Sequence, residues 1–163
     1  MEKILVSACL LGAPVRYHGG HAKSGHPLLD RWAAEGRLVP VCPEVLGGLP
    51  TPRPAAERQP AGSSGCWPIA VLDRDGRDVS GQFQRGAETA AAEGAIHHIR
   101  MAILKEGSPS CGTSSIHDGS FSGRTTRGRG VTAELLAARG VRLFSEHEIG
   151  DAARYLGELE SAV

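Results

Sequence analysis

A short apolar run passes directly into a loop in the segment Met101-Ala-Ile-Leu-Lys-Glu-Gly-Ser-Pro-Ser-Cys-Gly112. The apolar residues 101–104 predict a buried β-strand, and the Gly, Pro and Ser residues that follow are typical of turns and unfavourable in helices. Cys111 is therefore expected in a loop at the carboxyl end of a strand. This end of the strands is where open α/β sheets bind their ligands.

Two further apolar runs lead to a cysteine. Ile4-Leu-Val-Ser-Ala8 precedes Cys9, and Leu38-Val-Pro-Val41 precedes Cys42. If these runs are parallel strands of one sheet, Cys9, Cys42 and Cys111 converge at one edge, and this convergence is the main hypothesis. For each cysteine taken alone, the alternative is a small buried apolar residue without a chemical role.

The order of the predicted elements indicates the fold class. Strand-like runs at 4–8, 38–41, 101–104 and 141–144 alternate with helical patterns. The helices are predicted after Pro27, from Ser80 to His97 and His98, over 132–139, and after a capping box formed by Ser145 and Glu148. A further strand and a tight turn are predicted over 69–78. We expect an α/β fold: a single compact domain over residues 1–163, Rossmann-like, with a mainly parallel sheet flanked by helices.

Composition excludes several classes of partner. The chain has 163 residues, of which 40% are hydrophobic, and this argues against disorder. It carries 18 basic and 18 acidic residues, so no overall charge attracts nucleic acid or an anionic membrane. Only about five apolar residues precede Cys9, fewer than a signal peptide needs, and no run reaches the roughly 18 of a membrane helix. We therefore expect a cytoplasmic protein with no nucleic-acid or membrane partner.

The spacing of the four cysteines also restricts their chemistry. No Cys-x-x-Cys pair is present, so neither a zinc knuckle nor a thioredoxin motif is predicted. Disulfides are not expected in a reducing compartment. Cys66 lies in the irregular stretch Pro60–Pro68 and is assigned no role.

Polar residues near these cysteines are candidates for ligand contact. Arg16 and Tyr17 precede a Gly-Gly pair, which marks a loop able to approach a ligand closely, although a solvated polar loop is the alternative. Glu44 follows Cys42 by two residues; burial beside an apolar edge would raise the pKa of its carboxyl and suit it to carry a proton. Arg53 stands between two prolines and is expected to pair with Glu57 or with an anion of the ligand.

The segment 113–130 is rich in Ser, Thr, Gly and Arg. Long loops of this kind often act as lids or binding loops, so we expect a mobile segment that covers the site. Arg124 would then close over an anionic or carbonyl-bearing substrate. The alternative is a solvated basic loop.

Five motifs in order resemble the thiouracil desulfidase family, and together they span nearly the whole chain. They are Ser7-Ala-Cys-Leu-Leu-Gly12, Arg16-Tyr-x-Gly-Gly20, Val41-Cys-Pro-Glu-Val-Leu-Gly-Gly48, Ser108-Pro-Ser-Cys-Gly112 and Gly119-Ser-Phe-Ser-Gly123. The sequence departs from the family at His18, where Asp is frequent, and at Thr126-Arg-Gly-Arg129, where Pro and Asp are common. These positions bear on substrate preference.

The resemblance implies an iron–sulfur enzyme that removes sulfur from a thiolated pyrimidine such as 2-thiouracil, giving the oxo-pyrimidine and hydrogen sulfide without net redox change. A [4Fe–4S] cluster would be held by Cys9, Cys42 and Cys111, with one iron left free. The catalytic residues would be Glu44 and Ser108, and the substrate contacts Arg16, Tyr17, Ser110 and Arg124. Two alternatives stay open: a metal-binding or sulfur-carrying module without turnover, and a redox enzyme that uses Cys111. The protein could form a homo-oligomer. The sequence also leaves open whether the substrate is a base, a nucleoside or a nucleotide.

Overall fold

A computed structural model describes residues 1–60 and 70–162 of the chain. In chain order the strands are β1 (Ile4–Ser7), β2 (Leu38–Val41), β3 (Ala56–Arg58), β4 (Val71–Asp73), β5 (Met101–Leu104), β6 (Ser115–His117), β7 (Thr125–Arg127) and β8 (Arg142–Ser145). The helices are α1 (Pro27–Ala34), α2 (Pro43–Leu46), α3 (Ser80–Ile96), α4 (Val131–Ala138) and α5 (Ile149–Ser161), and Ala8–Leu11 forms a 3₁₀ turn. Cys66 and the predicted beginning of a strand at Ile69 lie outside the described residues.

Four strands form the central sheet in the order β2-β1-β5-β8, and all neighbouring pairs are parallel. The prediction of an α/β fold with a mainly parallel sheet is confirmed. The strand predicted over 4–8 ends at Ser7, because Ala8 begins the 3₁₀ turn. The strand predicted over 141–144 lies one residue later, at Arg142–Ser145.

Helices cover both faces of this sheet. On one face, Ile4 and Val6 of β1 pack in a cluster with residues of α1 and α5, such as Trp32 and Leu156. On the other face, Leu5 packs with residues of α3 and α4. The chain moves outward from β1 to β2 and then returns to add β5 and β8 on the other side of β1. Between β1 and β5 the order of the strands therefore reverses, and such a switch point leaves a crevice at the carboxyl ends of the strands.

Two antiparallel hairpins extend from this core, β3 with β4 and β6 with β7. The second hairpin lies in the segment 113–130, which was predicted as a long loop, so part of that segment forms two short strands. Glu106 holds the beginning of this segment, since its Oε1 accepts hydrogen bonds from the backbone N–H groups of Thr113, Ser114 and Ser115 at 2.8–3.1 Å. Hydrogen bonds from a side chain to the backbone leave no apolar pattern in the sequence.

A one-turn helix, α2, follows Cys42, and Pro43 is its first residue. Proline is well tolerated there, because the first N–H of a helix has no partner within the helix.

The predicted capping box is present at the other end of the chain. Glu148 Oε1 accepts the backbone N–H of Ser145 at 3.0 Å, and α5 begins after Glu148, at Ile149. Within the described part of the chain, no helix has the length and apolar character needed to cross a membrane.

Candidate active site

A cavity of about 280 Å³ opens at the carboxyl ends of β1, β2 and β5. Cys9, Cys42 and Cys111 all line it, so the structure brings together the three thiols that the sequence placed after strands. The position agrees with the switch point of the sheet, where open α/β sheets bind ligands. The role of these cysteines as metal ligands stays a prediction.

Local backbone structure fixes the first two cysteines. Cys9 lies in the 3₁₀ turn, which ends at Gly12 with φ +96°, and its carbonyl accepts the N–H of Ala22 at 3.0 Å. Cys42 caps the N-terminus of α2, and its Sγ lies 3.9 Å from the carbonyl oxygen of Val15. The loop that follows β1 therefore contacts the residue that follows β2, through Val15 and Cys42.

Ser108 organises the loop that carries Cys111. Its Oγ accepts the backbone N–H groups of Ser110 at 3.1 Å and of Cys111 at 3.0 Å. The Ser110 hydroxyl lies 3.8 Å from Cys111 Sγ. A serine hydroxyl that accepts two hydrogen bonds still carries a proton to donate. Ser108 thus holds the loop and retains a proton at the cavity wall.

Burial raises the pKa of all three thiols. Burial raises the pKa of Cys9 to about 11 and that of Cys111 to about 12, although hydrogen bonds from Ser7 and Ser110 act in the opposite direction on Cys111. The pKa of Cys42 is also raised by burial, against hydrogen bonds from backbone N–H groups of α2. Reactive cysteines have lowered pKa values and partial exposure. Cys111, 5% exposed, has neither, and this disfavours the redox alternative.

Glu44 extends from α2 into the same cavity, and its side chain is 16% exposed. Burial raises the pKa of its carboxyl, although the guanidinium groups of Arg53 and Arg16 act against this. Arg53 Nε donates to Glu44 Oε1 at 3.2 Å. Arg53 therefore pairs with Glu44, whereas a pair with Glu57 or with an anion of the ligand was predicted. The backbone holds Arg53 firmly, since its Nη2 donates to Val15 O at 2.8 Å and its Nη1 to Pro50 O at 3.1 Å.

The donor set of this cavity fits a polynuclear cluster better than a single ion. Within residues 1–60 and 70–162, no three or more His, Cys, Asp or Glu side chains are close enough together to hold one metal ion. An iron–sulfur cluster carries its thiolates on different iron atoms, so its cysteine ligands are further apart than those of one ion. Three thiols on three separate loops line this cavity, and thiolates are the usual ligands of iron–sulfur clusters.

The structure brings most of the predicted substrate contacts to this cavity. Arg16, Tyr17, Ser108 and Ser110 all line it. Arg124 is exposed and does not belong to the lining, although its neighbour Gly123 does. A contact between Arg124 and the substrate stays a prediction.

Several lining residues were not among the predicted site residues. Lys105 and Glu106 follow β5, and both Glu146 oxygens accept the N–H of Glu106, at 3.1 and 3.2 Å. His117 also lines the cavity, and its Nδ1 is buried and has no hydrogen-bond partner among the described residues. Glu57 forms part of the outer wall. None of these residues was predicted to contact the ligand, although Lys105 and Glu106 belong to the loop that was predicted after residues 101–104.

Comparisons with known proteins agree over nearly the whole chain. The sequence model of a family described as 2-thiouracil desulfurase matches residues 4–148. The uncharacterized protein YbbK of Bacillus subtilis (strain 168) is 40% identical over 152 residues, which cover 91% of this chain and 98% of YbbK.

A solved structure is also similar over nearly the whole chain. The [4Fe-4S]-dependent thiouracil desulfidase TudS superposes with a TM-score of 0.90 at 47% sequence identity. The alignment covers 96% of this chain and 99% of TudS.

Proposed function

This chain belongs to the 2-thiouracil desulfurase family, and from that premise we propose that it removes the sulfur of a thiolated pyrimidine such as 2-thiouracil. The observation that carries the proposal is the convergence of three thiols and the partly buried carboxylate of Glu44 on a single cavity. This combination offers both a place for a metal cluster and a group that moves protons. The likeness to TudS, a [4Fe-4S]-dependent enzyme, supports the same cofactor here.

Cys9, Cys42 and Cys111 would hold the cluster. With only three protein thiolates, a [4Fe–4S] cluster would keep one iron free, and when bound it would supply a soft Lewis acid suited to the sulfur of a thiocarbonyl. The chain itself fixes the three thiols through the 3₁₀ turn, the beginning of α2 and the loop held by Ser108.

Glu44 would move the protons of the reaction. Its ionised carboxylate takes a proton from water, the water oxygen adds to the carbon that bears sulfur, and the C–S bond then breaks. Arg53 donates to Glu44 and would fix its orientation, and the Ser108 hydroxyl, which lines the same cavity, would donate a proton. The products are an oxo-pyrimidine and hydrogen sulfide. One water is consumed and no electrons are exchanged, so the step is a hydrolysis.

The remaining predicted residues would bind the substrate. Arg16, Tyr17 and Ser110 line the cavity and would contact the ring or its substituents, and Arg124 would approach from the β6–β7 hairpin. Free thiols and a balanced charge suit a cytoplasmic enzyme of small molecules, without a nucleic-acid or membrane partner.

Anaerobic turnover in ¹⁸O-labelled water tests the function. The reconstituted protein should convert 2-thiouracil into uracil and sulfide in equal amounts, and each uracil should carry one oxygen from water. A protein with a full cluster that releases neither product would contradict the proposal. Sulfide release without incorporation of the label would contradict the hydrolytic step.

A further inference from the structure

One buried carboxylate on the outer wall of the cavity has no part in the function proposed above. Glu57, in β3, is 7% exposed and lines the cavity. Acidic side chains are rarely this buried unless a cation pairs with them. Across residues 1–60 and 70–162, no Lys, Arg or His forms an ion pair with Glu57; the nearby Arg53 and Arg58 pair with Glu44 and Glu134.

The turn of the β6–β7 hairpin fixes the direction of this carboxylate. Glu57 Oε1 accepts the backbone N–H groups of Gly119 at 3.0 Å and of Phe121 at 3.1 Å. Phe121 has φ +55°, a left-handed conformation that a bulky residue rarely adopts, so its N–H is held in place against a local preference. The other oxygen, Oε2, accepts no hydrogen bond from any described residue. Glu57 therefore offers an oriented acceptor on the cavity wall.

Thiolated pyrimidines of the uracil type carry a donor that suits this acceptor. The ring N3–H lies next to the thiocarbonyl whether the sulfur is on C2 or on C4, and it remains when N1 carries a sugar. A hydrogen bond from N–H to a carboxylate is charge-assisted and stronger than a neutral one. In rings of the cytosine type, N3 is itself an acceptor, and its lone pair would repel the carboxylate.

We propose that Glu57 accepts a hydrogen bond from N3–H of the substrate and so makes the cavity specific for thiolated pyrimidines of the uracil type over those of the cytosine type. This inference rests on the function proposed above and adds to it a residue that selects the substrate. If Glu57 had only a structural role, it would anchor the hairpin turn and would not affect which substrate is preferred.

The variant Glu57→Gln separates these two roles. Its amide carbonyl can still accept the N–H groups of Gly119 and Phe121, while its NH₂ group replaces the free oxygen with a donor. The wild-type holoenzyme should prefer 2-thiouracil to 2-thiocytosine by about 10² or more in kcat/KM, since a site built for one hydrogen bond rejects an analogue that lacks it. In Glu57→Gln this ratio should fall by about tenfold or more at unchanged iron content. An unchanged ratio in an iron-replete variant would overturn the proposal.

Glu88→Gln provides a matched control, because it makes the same chemical change on an exposed part of α3, away from the cavity. It should leave the ratio at its wild-type value. A second measurement needs no variant: the wild-type enzyme should lose about tenfold or more in kcat/KM on 3-methyl-2-thiouracil relative to 1-methyl-2-thiouracil. Equal rates on the two methylated substrates would also overturn the proposal.

Calorimetry of the wild-type holoenzyme distinguishes a failure of this inference from a failure of the proposed function. Uracil should bind at least about tenfold more tightly than cytosine. Preferential binding of uracil without desulfuration would support the recognition of N3–H and contradict the activity. Desulfuration without a preference between the two bases would contradict the recognition alone.

Discussion

At the scale of single residues, Glu44 shows how the fold gives a carboxylate its chemical environment. The sequence places Glu44 two residues after Cys42, and its burial was expected from that position. Its partner could not be deduced in this way, because Arg53 reaches Glu44 only through a loop that is itself fixed by contacts to Val15 and Pro50. The result is a buried carboxylate held in one orientation at the cavity wall.

Glu44→Gln tests whether this carboxylate moves protons. The amide keeps the size of the side chain and can still accept from Arg53, but it cannot exchange a proton. Turnover should fall by about 10² to 10⁴, the usual range for a positioned acid–base group, while iron content and substrate binding stay at wild-type values. A parallel loss of iron and activity would mean that Glu44 only braces the loop around Cys42. Full activity would assign the proton transfer to another group, such as Ser108.

Glu106 gives a prediction about pH and stability. Although burial raises the pKa of its carboxyl, the hydrogen bonds from Thr113, Ser114 and Ser115 hold this pKa below the ordinary value of 4.5. A lowered carboxyl pKa stabilises the fold above the unfolded-state pKa, and this contribution disappears as pH falls through the folded-state pKa. Glu106→Gln, which does not titrate, should therefore be less stable than wild type at pH 7, and the difference should shrink below pH 4.5.

Urea unfolding of both proteins over a range of pH measures this difference. The iron is removed from both by a chelator beforehand, so that loss of the cluster in acid makes no contribution. A difference in free energy of unfolding that stays constant with pH would show that the hydrogen bonds to Glu106 add no charge-dependent stability.

At the scale of elements, two glycines allow α2 to lie against α3. A Cβ on Gly86 would be 1.8 Å from the carbonyl oxygen of Pro43, and one on Gly47 would be 1.9 Å from that of Gln82. Backbone thus contacts backbone, and no side chain fits between the two helices. Since Cys42 caps α2 and Glu44 belongs to it, this contact sets the position of two site residues.

Gly86→Ala should push α2 away from α3. We expect a loss of about 1–3 kcal/mol in the free energy of unfolding, as for other overpacked sites, together with lower iron content after anaerobic reconstitution. Gly81→Ala is the matched control on the same helix, because its Cβ would meet only the flexible end of Arg85 at 3.5 Å. The control should keep its iron and be equally stable or slightly more so. If both variants behaved alike, the close contact would not determine the position of α2.

Elements that depend on a local sequence pattern were predicted better than elements that depend on contacts with other parts of the chain. The apolar runs identified all four strands of the central sheet within one residue, because a buried parallel strand needs only a short apolar segment. The hairpin within 113–130 was missed, since its strands are short and mostly polar, and since side chains outside it hold it, Glu57 at the turn and Glu106 at the beginning. Glu57 itself was considered only as a partner of Arg53, because nothing local indicates that it lines a cavity.

At the scale of the whole molecule, the order of the strands produces the site. β1 stands between β2 and β5, so the loops after these three strands open at the same edge of the sheet. Each loop contributes one cysteine, although the three are far apart in sequence. The convergence could be expected from the three strand–cysteine junctions alone, whereas the remaining wall of the cavity depends on the two hairpins. That the chain forms a single domain over residues 1–163 stays a prediction.

Iron and acid-labile sulfide in four serine variants, each reconstituted without oxygen, test the central claim most directly. Wild type and Cys66→Ser should each hold about four iron and four sulfide per chain, as a [4Fe–4S] cluster requires. Cys9→Ser, Cys42→Ser and Cys111→Ser should each hold far less, because each removes one of the three thiols that line the cavity. A full cluster in Cys42→Ser, or loss of the cluster in Cys66→Ser, would contradict the assignment of the ligands.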